Sequence, residues 1–336
     1  MKQTYYLFND GRMSRKDNTL RFDPKASDEN PSPTPRYIPV ENIENLFVFG
    51  ALDVNAALLN YLGQKHIRMH FFDYYEHYTG SFMPKDYLLA GKMLIAQTKN
   101  YLNKKNRLHI ASRILEGASF NMVKNLKYYS NRGKGLEQQI NEIEQYSDSL
   151  NKAENIPELM GIEGNIRQSY YAAFDTIIND FTMDGRNKQP PSNEINALIS
   201  FGNMMCYTLA LDMIYHTQLN PTISFLHEPG YRRYSLALDI SEVFKPILVD
   251  RTIFRVLNKK EVRAEHFDER LNGCYLKEPG KKTFIKAWEE RLAETIKHRT
   301  LNKNVSYKQL VKLECYKLSK YILKDEPEFR PFKIWW

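Results

Sequence analysis

Cysteine is scarce in this chain: Cys206, Cys274 and Cys315 are an odd number without CxxC spacing among 336 residues. A disulfide scaffold and a structural zinc site are therefore not indicated, and a reducing compartment fits best. Glycine and proline are modest at 15 each, which excludes a collagen-like chain, and 42% hydrophobic with 26% charged residues excludes a wholly disordered one. No glycine-rich phosphate loop of Walker or Rossmann type and no GxSxG elbow occurs, so nucleotide-driven and hydrolase-triad readings lose support. The N-terminus Met1-Lys2-Gln3-Thr4-Tyr5-Tyr6 lacks the apolar core and cleavage site of a signal peptide, and a cytoplasmic protein is expected. No membrane span is expected either. The most apolar run, Ala197 to Tyr215, contains Ser200, Gly202, Asn203, Thr208 and Asp212, which are costly in lipid, and it reads as a buried helix of a core.

The length leaves room for two domains, since a compact domain takes roughly 100 to 200 residues. Net charge is +8, from 48 Lys plus Arg against 40 Asp plus Glu, and it is unevenly placed. The first 250 residues hold 27 basic and 28 acidic side chains, whereas from Arg251 onward there are 21 and 12. Among those lysines lie Trp288, Tyr307, Tyr316, Tyr321, Phe329, Phe332, Trp335 and Trp336. Basic charge interleaved with aromatics suits a phosphate backbone, although a solvated lysine-rich helix face has the same composition.

Strand signals dominate the first part. Thr4 to Phe8 is aromatic and β-branched, Asp10-Gly11 is a hairpin turn dipeptide, and Thr19 to Phe22 resumes an extended run. Lys25 to Pro35 is a proline loop; Arg36 to Pro39, Asn45 to Phe49 and Arg68 to Phe72 read as further strands, and Asn55 to Gln64 as a helix. After Gly80 the period changes. Apolar residues at spacings of three and four run from Tyr87 to Ser130 and continue to about Leu323. Asn131 to Asn155 has few of them and reads as an exposed helical hairpin or mobile connection, and Asp184 to Asn193, with Pro190-Pro191, as a loop. The expected architecture is α+β: a small N-terminal β-rich domain, residues 1–84, followed by a larger all-helical domain, residues 85–336.

Three constellations could carry chemistry. On a helix over Glu158 to Ile178, the stripe Leu159, Ile162, Ile166, Tyr170, Ala173, Phe174 and Ile177 is buried, and Glu163 sits against its edge. A carboxylate there costs free energy unless a metal ion or an arginine offsets it. His227, in Phe225-Leu226-His227-Glu228-Pro229-Gly230, follows an apolar run where a helix gives way to a loop, the position of a structural histidine or of a neutral ligand. In Ser235 to Pro246, Ser235 reads as a cap, and Asp239 and Glu242 fall one turn apart opposite Leu236, Ile240, Val243, Phe244 and Ile247. Their repulsion can be relieved by Arg232, Arg233 or Lys245, or by a metal ion. Pro246 should bend or interrupt this helix. His66, His70 and His77 lack a partner carboxylate at a recognised metal spacing and read as structural.

In order along the chain, Gly161-Ile162-Glu163-Gly164, then Arg186 through Pro190-Pro191 to Asn196-Ala197-Leu198-Ile199-Ser200-Phe201-Gly202, then Leu219-Asn220-Pro221 to Phe225-Leu226-His227-Glu228, then Ser235-Leu236-Ala237-Leu238-Asp239 to Glu242-Val243-Phe244-Lys245-Pro246 resemble the signature blocks of the CRISPR adaptation integrase/endonuclease family, the Cas one proteins. Tyr5-Tyr6-Leu7-Phe8, Gly11-Arg12, Arg15-Lys16-Asp17-Asn18-Thr19-Leu20, Phe71-Phe72 and Gly80-Ser81-Phe82 are similar to members that accompany type I systems, subtype B. Gly202-Asn203, Asn220-Pro221 and Ser224 depart from the family pattern beside the site positions rather than on them.

The resemblance implies an N-terminal β domain that makes a homodimer and a helical catalytic domain. It implies catalytic metal ligands Glu163, His227 and Glu242 for Mg²⁺ or Mn²⁺, Asp239 as an accessory acid near the metal or the DNA, and Arg232, Arg233 and Lys245 as DNA-binding residues. It also implies a heterohexamer in which two dimers flank a dimer of the small second Cas protein and hold a short DNA duplex. The 3′ hydroxyls of that duplex would attack phosphodiesters at a CRISPR repeat, a transesterification that needs no ATP. A hard cation there would stabilise phosphoryl charge and lower the pKa of the attacking hydroxyl. Two other readings use the same residues: a hydrolytic DNA endonuclease, with water as nucleophile, and a non-catalytic nucleic-acid-binding scaffold.

Overall fold

β-Branched and aromatic runs separated by short turns supply the strands of the N-terminal unit. The computed structural model describes residues 2–26, 31–85, 88, 90–187, 190–230, 234–270 and 273–335; Arg232, Arg233 and Trp336 lie outside them. The chain divides into two compact units, Met1–Tyr87 and Leu88–Trp336.

In the first unit, β1 (Gln3–Leu7), β2 (Gly11–Lys16), β3 (Thr19–Pro24), β4 (Arg36–Pro39), β5 (Ile43–Val48), β6 (Leu52–Asp53), helix α1 (Ala56–Gln64), β7 (Arg68–Phe72) and β8 (Tyr78–Phe82) form two four-stranded sheets, ordered β1-β5-β7-β8 and β4-β3-β2-β6. Asp10-Gly11 is not the turn of a hairpin, because β1 pairs in parallel with β5 while β2 belongs to the other sheet. The glycine is needed for close approach: a Cβ on Gly11 would stand 2.4 Å from the Asp23 carbonyl oxygen. The tight turn lies instead at Asp17-Asn18, between the paired Lys16 and Thr19, with Asp17 at φ 53°. Met13, Leu20, Ile43, Leu46, Leu58, Leu62 and Met69 fill the core of this unit. Asn55 caps α1, its Oδ1 accepting from the Leu58 N–H at 2.9 Å.

The second unit is largely helical. The periodic stretch from Tyr87 to Ser130 is two helices, α2 (Gly91–Leu102) and α3 (Lys104–Ser130), because Asn103 takes an extended ψ and caps α3 by accepting from the Asn106 N–H. The sparse apolar residues of 131–155 make a packed helix, α4 (Glu137–Ser149), whose Ile140 and Ile143, with the flanking Leu136 and Leu150, are buried. There follow α5 (Ile156–Ala172), α6 (Phe174–Ile177), α7 (Glu194–Tyr215), α8 (Ser235–Lys245) and α9 (Arg251–Asn258). Helix α7, long and apolar enough to cross a membrane, is mostly buried inside this unit. Two short hairpins, β9 (Phe267–Arg270) with β10 (Gly273–Leu276) and β11 (Thr295–Lys297) with β12 (Asn304–Ser306), flank α10 (Glu278–Ala293) and precede α11 (Tyr307–Ile322); an all-helical expectation did not include them.

Pro246 has the anticipated effect in an unanticipated form. The chain passes from α8 into a π-helical turn, Pro246–Asp250, and then directly into α9. Carbonyls loosened by this irregularity find partners on α3: Asn121 Nδ2 donates to the Val243 oxygen at 2.9 Å and Asn125 Nδ2 to the Pro246 oxygen at 2.6 Å. Of the C-terminal aromatics, Trp288, Tyr307, Phe329 and Phe332 are core residues. They are thereby removed from the surface on which nucleic acid could stack.

Candidate functional site

Glu163 projects from the middle of α5, and helical spacing carries Arg167 and Tyr171 onto the same face. Arg167 Nε donates to Glu163, Nη1 to the Tyr171 hydroxyl at 3.2 Å, and Nη2 crosses to Glu242 on α8. Lys245, one turn after Glu242, donates Nζ to the other oxygen of the same carboxylate. Gly161 and Gly164 flank Glu163, and a Cβ on either would meet no atom within 4 Å. Two glycines weaken a helix, but they leave the surface beside Glu163 open to close approach.

The acids of α8 do not face outward. Nine of the eleven residues from Ser235 to Lys245 are buried, Asp239 and Glu242 among them, so the helix has no polar exterior on which they could lie opposite an apolar stripe. Ser235 is not its cap; the cap position is Tyr234, and the Ser235 hydroxyl donates to the Thr222 carbonyl at 2.9 Å. Asp239 is fully buried and saturated with donors. Its Oδ2 accepts from the N–H groups of Phe225 and Leu226 at 2.7 and 3.0 Å, and its Oδ1 from the N–H and Nδ1 of His227 at 3.0 and 2.9 Å.

These bonds give Asp239 a positioning role. A carboxylate only accepts, so in the neutral imidazole Nδ1 carries the proton and Nε2 presents its lone pair. Nε2 stands 4.0 Å from Glu242 Oε1. The loop bearing His227 is tied down on other sides as well. Gln97 of α2, fully buried, donates to the carbonyls of Asn220 and Ile223, Ser224 Oγ donates to the His227 carbonyl at 2.6 Å, and Arg107 Nε donates to that of Phe225. Of the residues that depart from the family pattern, Ser224 thus serves the loop through its hydroxyl and Asn220 through its Oδ1, which accepts from the Thr222 N–H at 2.9 Å.

Charge around this point is dense and buried. The Asp250 carboxyl, on the π turn, is pushed up to about 7 by burial, against the hydrogen bond from Tyr170 and the cations Arg167, Lys245 and Arg186. Burial, reinforced by Arg167, brings the Lys245 ammonium down to about 8. Burial also works against the charge of Arg167, but Tyr171 and Glu163 outweigh it and its pKa is raised. Arg186 is lowered by burial and is anchored on α7, with Nη1 on Asn196 Oδ1 at 2.8 Å.

Structure therefore brings Glu163, Glu242, His227 and Asp239 together from α5, α8 and the loop between α7 and α8. Lys245, expected to meet DNA, is bound to Glu242 and 13% exposed, as a buried carboxylate draws the nearest ammonium. Arg167 and Asp250 were missed by the sequence reading. For Arg167 the signal was present, as an arginine four residues after a core-edge glutamate. Among the described residues no three His, Cys, Asp or Glu side chains stand grouped as a metal site, since the Arg167 guanidinium bonds both glutamates. The donor set itself, two carboxylates and an imidazole fixed from behind by a third carboxylate, fits a hard divalent cation.

Residues 5–290 match the family described as CRISPR associated protein Cas1. The chain is 44% identical over 335 residues to a CRISPR-associated endonuclease Cas1 of Thermodesulfovibrio yellowstonii, covering 99% of this chain and all of that one. Among solved structures it is similar to a Cas1 protein from Thermotoga maritima, with a TM-score of 0.82 and 38% identity over 96% of this chain and 97% of that one. It shares its fold with a chain of a Cas6-RT-Cas1–Cas2 complex, 16% identical at a TM-score of 0.81, covering all of this chain and 36% of that one.

Proposed function

This chain belongs to the CRISPR-associated Cas1 family of endonucleases, and from that premise we propose that Glu163, His227 and Glu242 bind a divalent cation, Mg²⁺ or Mn²⁺, at which DNA strands are joined. It is an enzyme of CRISPR spacer acquisition. The observation that carries the site assignment is the meeting of two glutamates from different helices on one part-buried cation, the Arg167 guanidinium, with the imidazole of a loop histidine 4.0 Å from the second glutamate.

When bound, the ion supplies charge stabilisation at the phosphoryl oxygens and favours ionisation of the attacking hydroxyl. The chain's own residues do the rest. Asp239 orients the imidazole and keeps the proton on Nδ1, so that Nε2 faces Glu242. Open helix surface at Gly161 and Gly164 admits the sugar-phosphate backbone beside Glu163. Lys245, with Arg232 and Arg233, contributes positive charge to phosphates without reading sequence. In the strand transfer, the 3′ hydroxyl oxygen of the incoming duplex forms a P–O bond as the repeat's own P–O bond breaks, which leaves the number of phosphodiester bonds unchanged.

The finer assignments rest on the motifs quoted above. The N-terminal blocks support membership among type I, subtype B proteins. Residues 1–84 serve as a homodimer interface and residues 85–336 as the catalytic domain, and two such dimers flank a dimer of the second Cas protein around double-stranded DNA. Three free, buried cysteines suit a cytoplasmic setting.

The test mixes purified protein and Mn²⁺ with a branched DNA whose flap junction mimics a half-integrated end, and follows labelled strands on a denaturing gel beside Glu163→Ala. A longer, resealed strand made by the wild type alone is the expected product. Shortened strands alone would establish water as the nucleophile. Equal transfer by Glu163→Ala would overturn the site assignment.

A further inference from the structure

Arg167 stands where a shared cation belongs. Its position four residues after Glu163 lays the guanidinium along the same face of α5, so that Nε bonds Glu163 while Nη2, on the same edge, reaches Glu242 on α8. Lys245 takes the remaining oxygen of Glu242. The two glutamates are thus matched by two monovalent cations, and an incoming ion must compete with both for them.

We propose that Arg167 is the internal counter-ion of the metal-free site, that a divalent cation must displace it, and that the displaced guanidinium then binds the phosphodiester. This rests on the reading of Glu163, His227 and Glu242 as metal ligands. Charge balance carries it further. Once a divalent ion answers the two glutamates, Arg167 and Lys245 are left as surplus positive charge beside it. On the other side of Arg167 the near groups are the Tyr171 hydroxyl at 3.2 Å and the buried Asp250 carboxyl, which already has a hydrogen bond from Tyr170. A phosphodiester anion supplies the missing charge, and the planar fork of a guanidinium matches its two non-bridging oxygens.

Such an exchange links the two ligands. Metal binding frees the phosphate-binding group, and phosphate binding holds that group away from the metal's place, so each raises the affinity for the other by the same factor. A residue that only braced two helices would weaken metal binding when removed. A competing occupant does the opposite.

The test titrates the full-length protein with Mn²⁺ in a calorimeter, with and without a branched DNA whose 3′ ends are blocked against reaction. Wild type is compared with Arg167→Gln, Arg167→Lys and His227→Ala. The expected result is that Arg167→Gln binds Mn²⁺ about tenfold more tightly than wild type without DNA, within the usual range of coupling between sites. DNA should tighten Mn²⁺ binding by the wild type and leave Arg167→Gln unchanged. Arg167→Lys keeps the charge without the fork and should fall between them; it also decides the matter if Arg167→Gln does not fold. Melting in EDTA provides a second readout, with Arg167→Gln less stable than wild type and recovering more on addition of Mn²⁺. Equal or weaker Mn²⁺ binding by the Arg167 variants, alongside its loss in His227→Ala, would overturn the role of Arg167 and leave the metal site standing. Mn²⁺ binding indifferent to His227→Ala would overturn both.

Discussion

Asp239→Asn tests the site at its most constrained atom pair. In the wild type the two carboxylate oxygens serve four donors, three backbone N–H groups and His227 Nδ1, at 2.7–3.0 Å and without solvent. Asparagine keeps one oxygen and turns an NH₂ group toward either the Phe225 and Leu226 N–H pair or His227. At least one buried donor is left facing another donor, at about 1–3 kcal/mol, and the surviving bonds lose their charge assistance, at roughly 1 kcal/mol each. With two bonds surviving, the sum is about 3–5 kcal/mol. If the NH₂ meets His227, Nδ1 must become an acceptor and the ring proton moves to Nε2, which removes the lone pair facing Glu242. Changes of this kind behind a ligand histidine cost roughly 10- to 100-fold in metal affinity or activity. All three tryptophans, Trp288, Trp335 and Trp336, lie in the Leu88–Trp336 unit, so their fluorescence in a urea titration reports on that unit. Strand transfer and the ¹⁵N shifts of the imidazole complete the assay. A variant within about 1 kcal/mol of wild type, with the ring proton still on Nδ1, would refute the claim that Asp239 sets the loop and the tautomer.

Other outcomes follow from the same packing. A carboxyl moved from 3.8 to about 7 costs the folded state on the order of 4 kcal/mol when ionised; because the folded pKa is the higher one, this cost grows as pH rises from about 4 to about 7 and is constant above. Asp250→Asn should therefore gain stability over wild type between pH 5 and pH 8 in urea unfolding, and a difference independent of pH would count against the assignment. A Cβ on Gly202 would lie 2.4 Å from Val249 Cγ1 and 3.2 Å from Phe284 Cζ, so Gly202→Ala should lose about 1–3 kcal/mol, measured in the same titration; a gain would show that α7 and the π turn separate readily. Gly164 meets nothing within 4 Å. Gly164→Ala should add up to about 1 kcal/mol of helix stability, whereas Gly164→Leu should fold but fail in strand transfer, and full activity there would exclude DNA from that side of Glu163.

Strands of the N-terminal unit were legible where local signals act alone. Arg36–Pro39 and Arg68–Phe72 were read residue for residue, and Asn55 marked the start of its helix. The topology was not legible, because Asp10-Gly11 looks like a turn whether or not the flanking strands pair. What decides is the parallel register of Gln3–Leu7 with Ile43–Val48, a contact across some forty residues that leaves no mark on the dipeptide. Similarly, Asn103 divides a continuous apolar period into two helices by its capping geometry, and a periodicity count has no means of registering one extended ψ.

At the site, residue types were easier to foresee than their environment. Glu163, His227 and Glu242 each stand out as polar groups set against apolar runs, yet placing Asp239 and Glu242 on one face opposite an apolar stripe did not foresee that nine of the eleven residues of α8 are buried. Enclosure changes what each acid must do. Buried carboxylates cannot remain bare, so Asp239 draws in three backbone N–H groups and an imidazole, and Glu242 draws in Arg167 and Lys245. The requirement for a counter-charge was stated from the sequence as a choice between a metal and an arginine. The structure holds the arginine, and the family to which the chain belongs calls for chemistry at phosphodiesters. Both answers are compatible when the two cations take turns, and a sequence, which specifies donors and acceptors but not the order in which they are occupied, does not separate them.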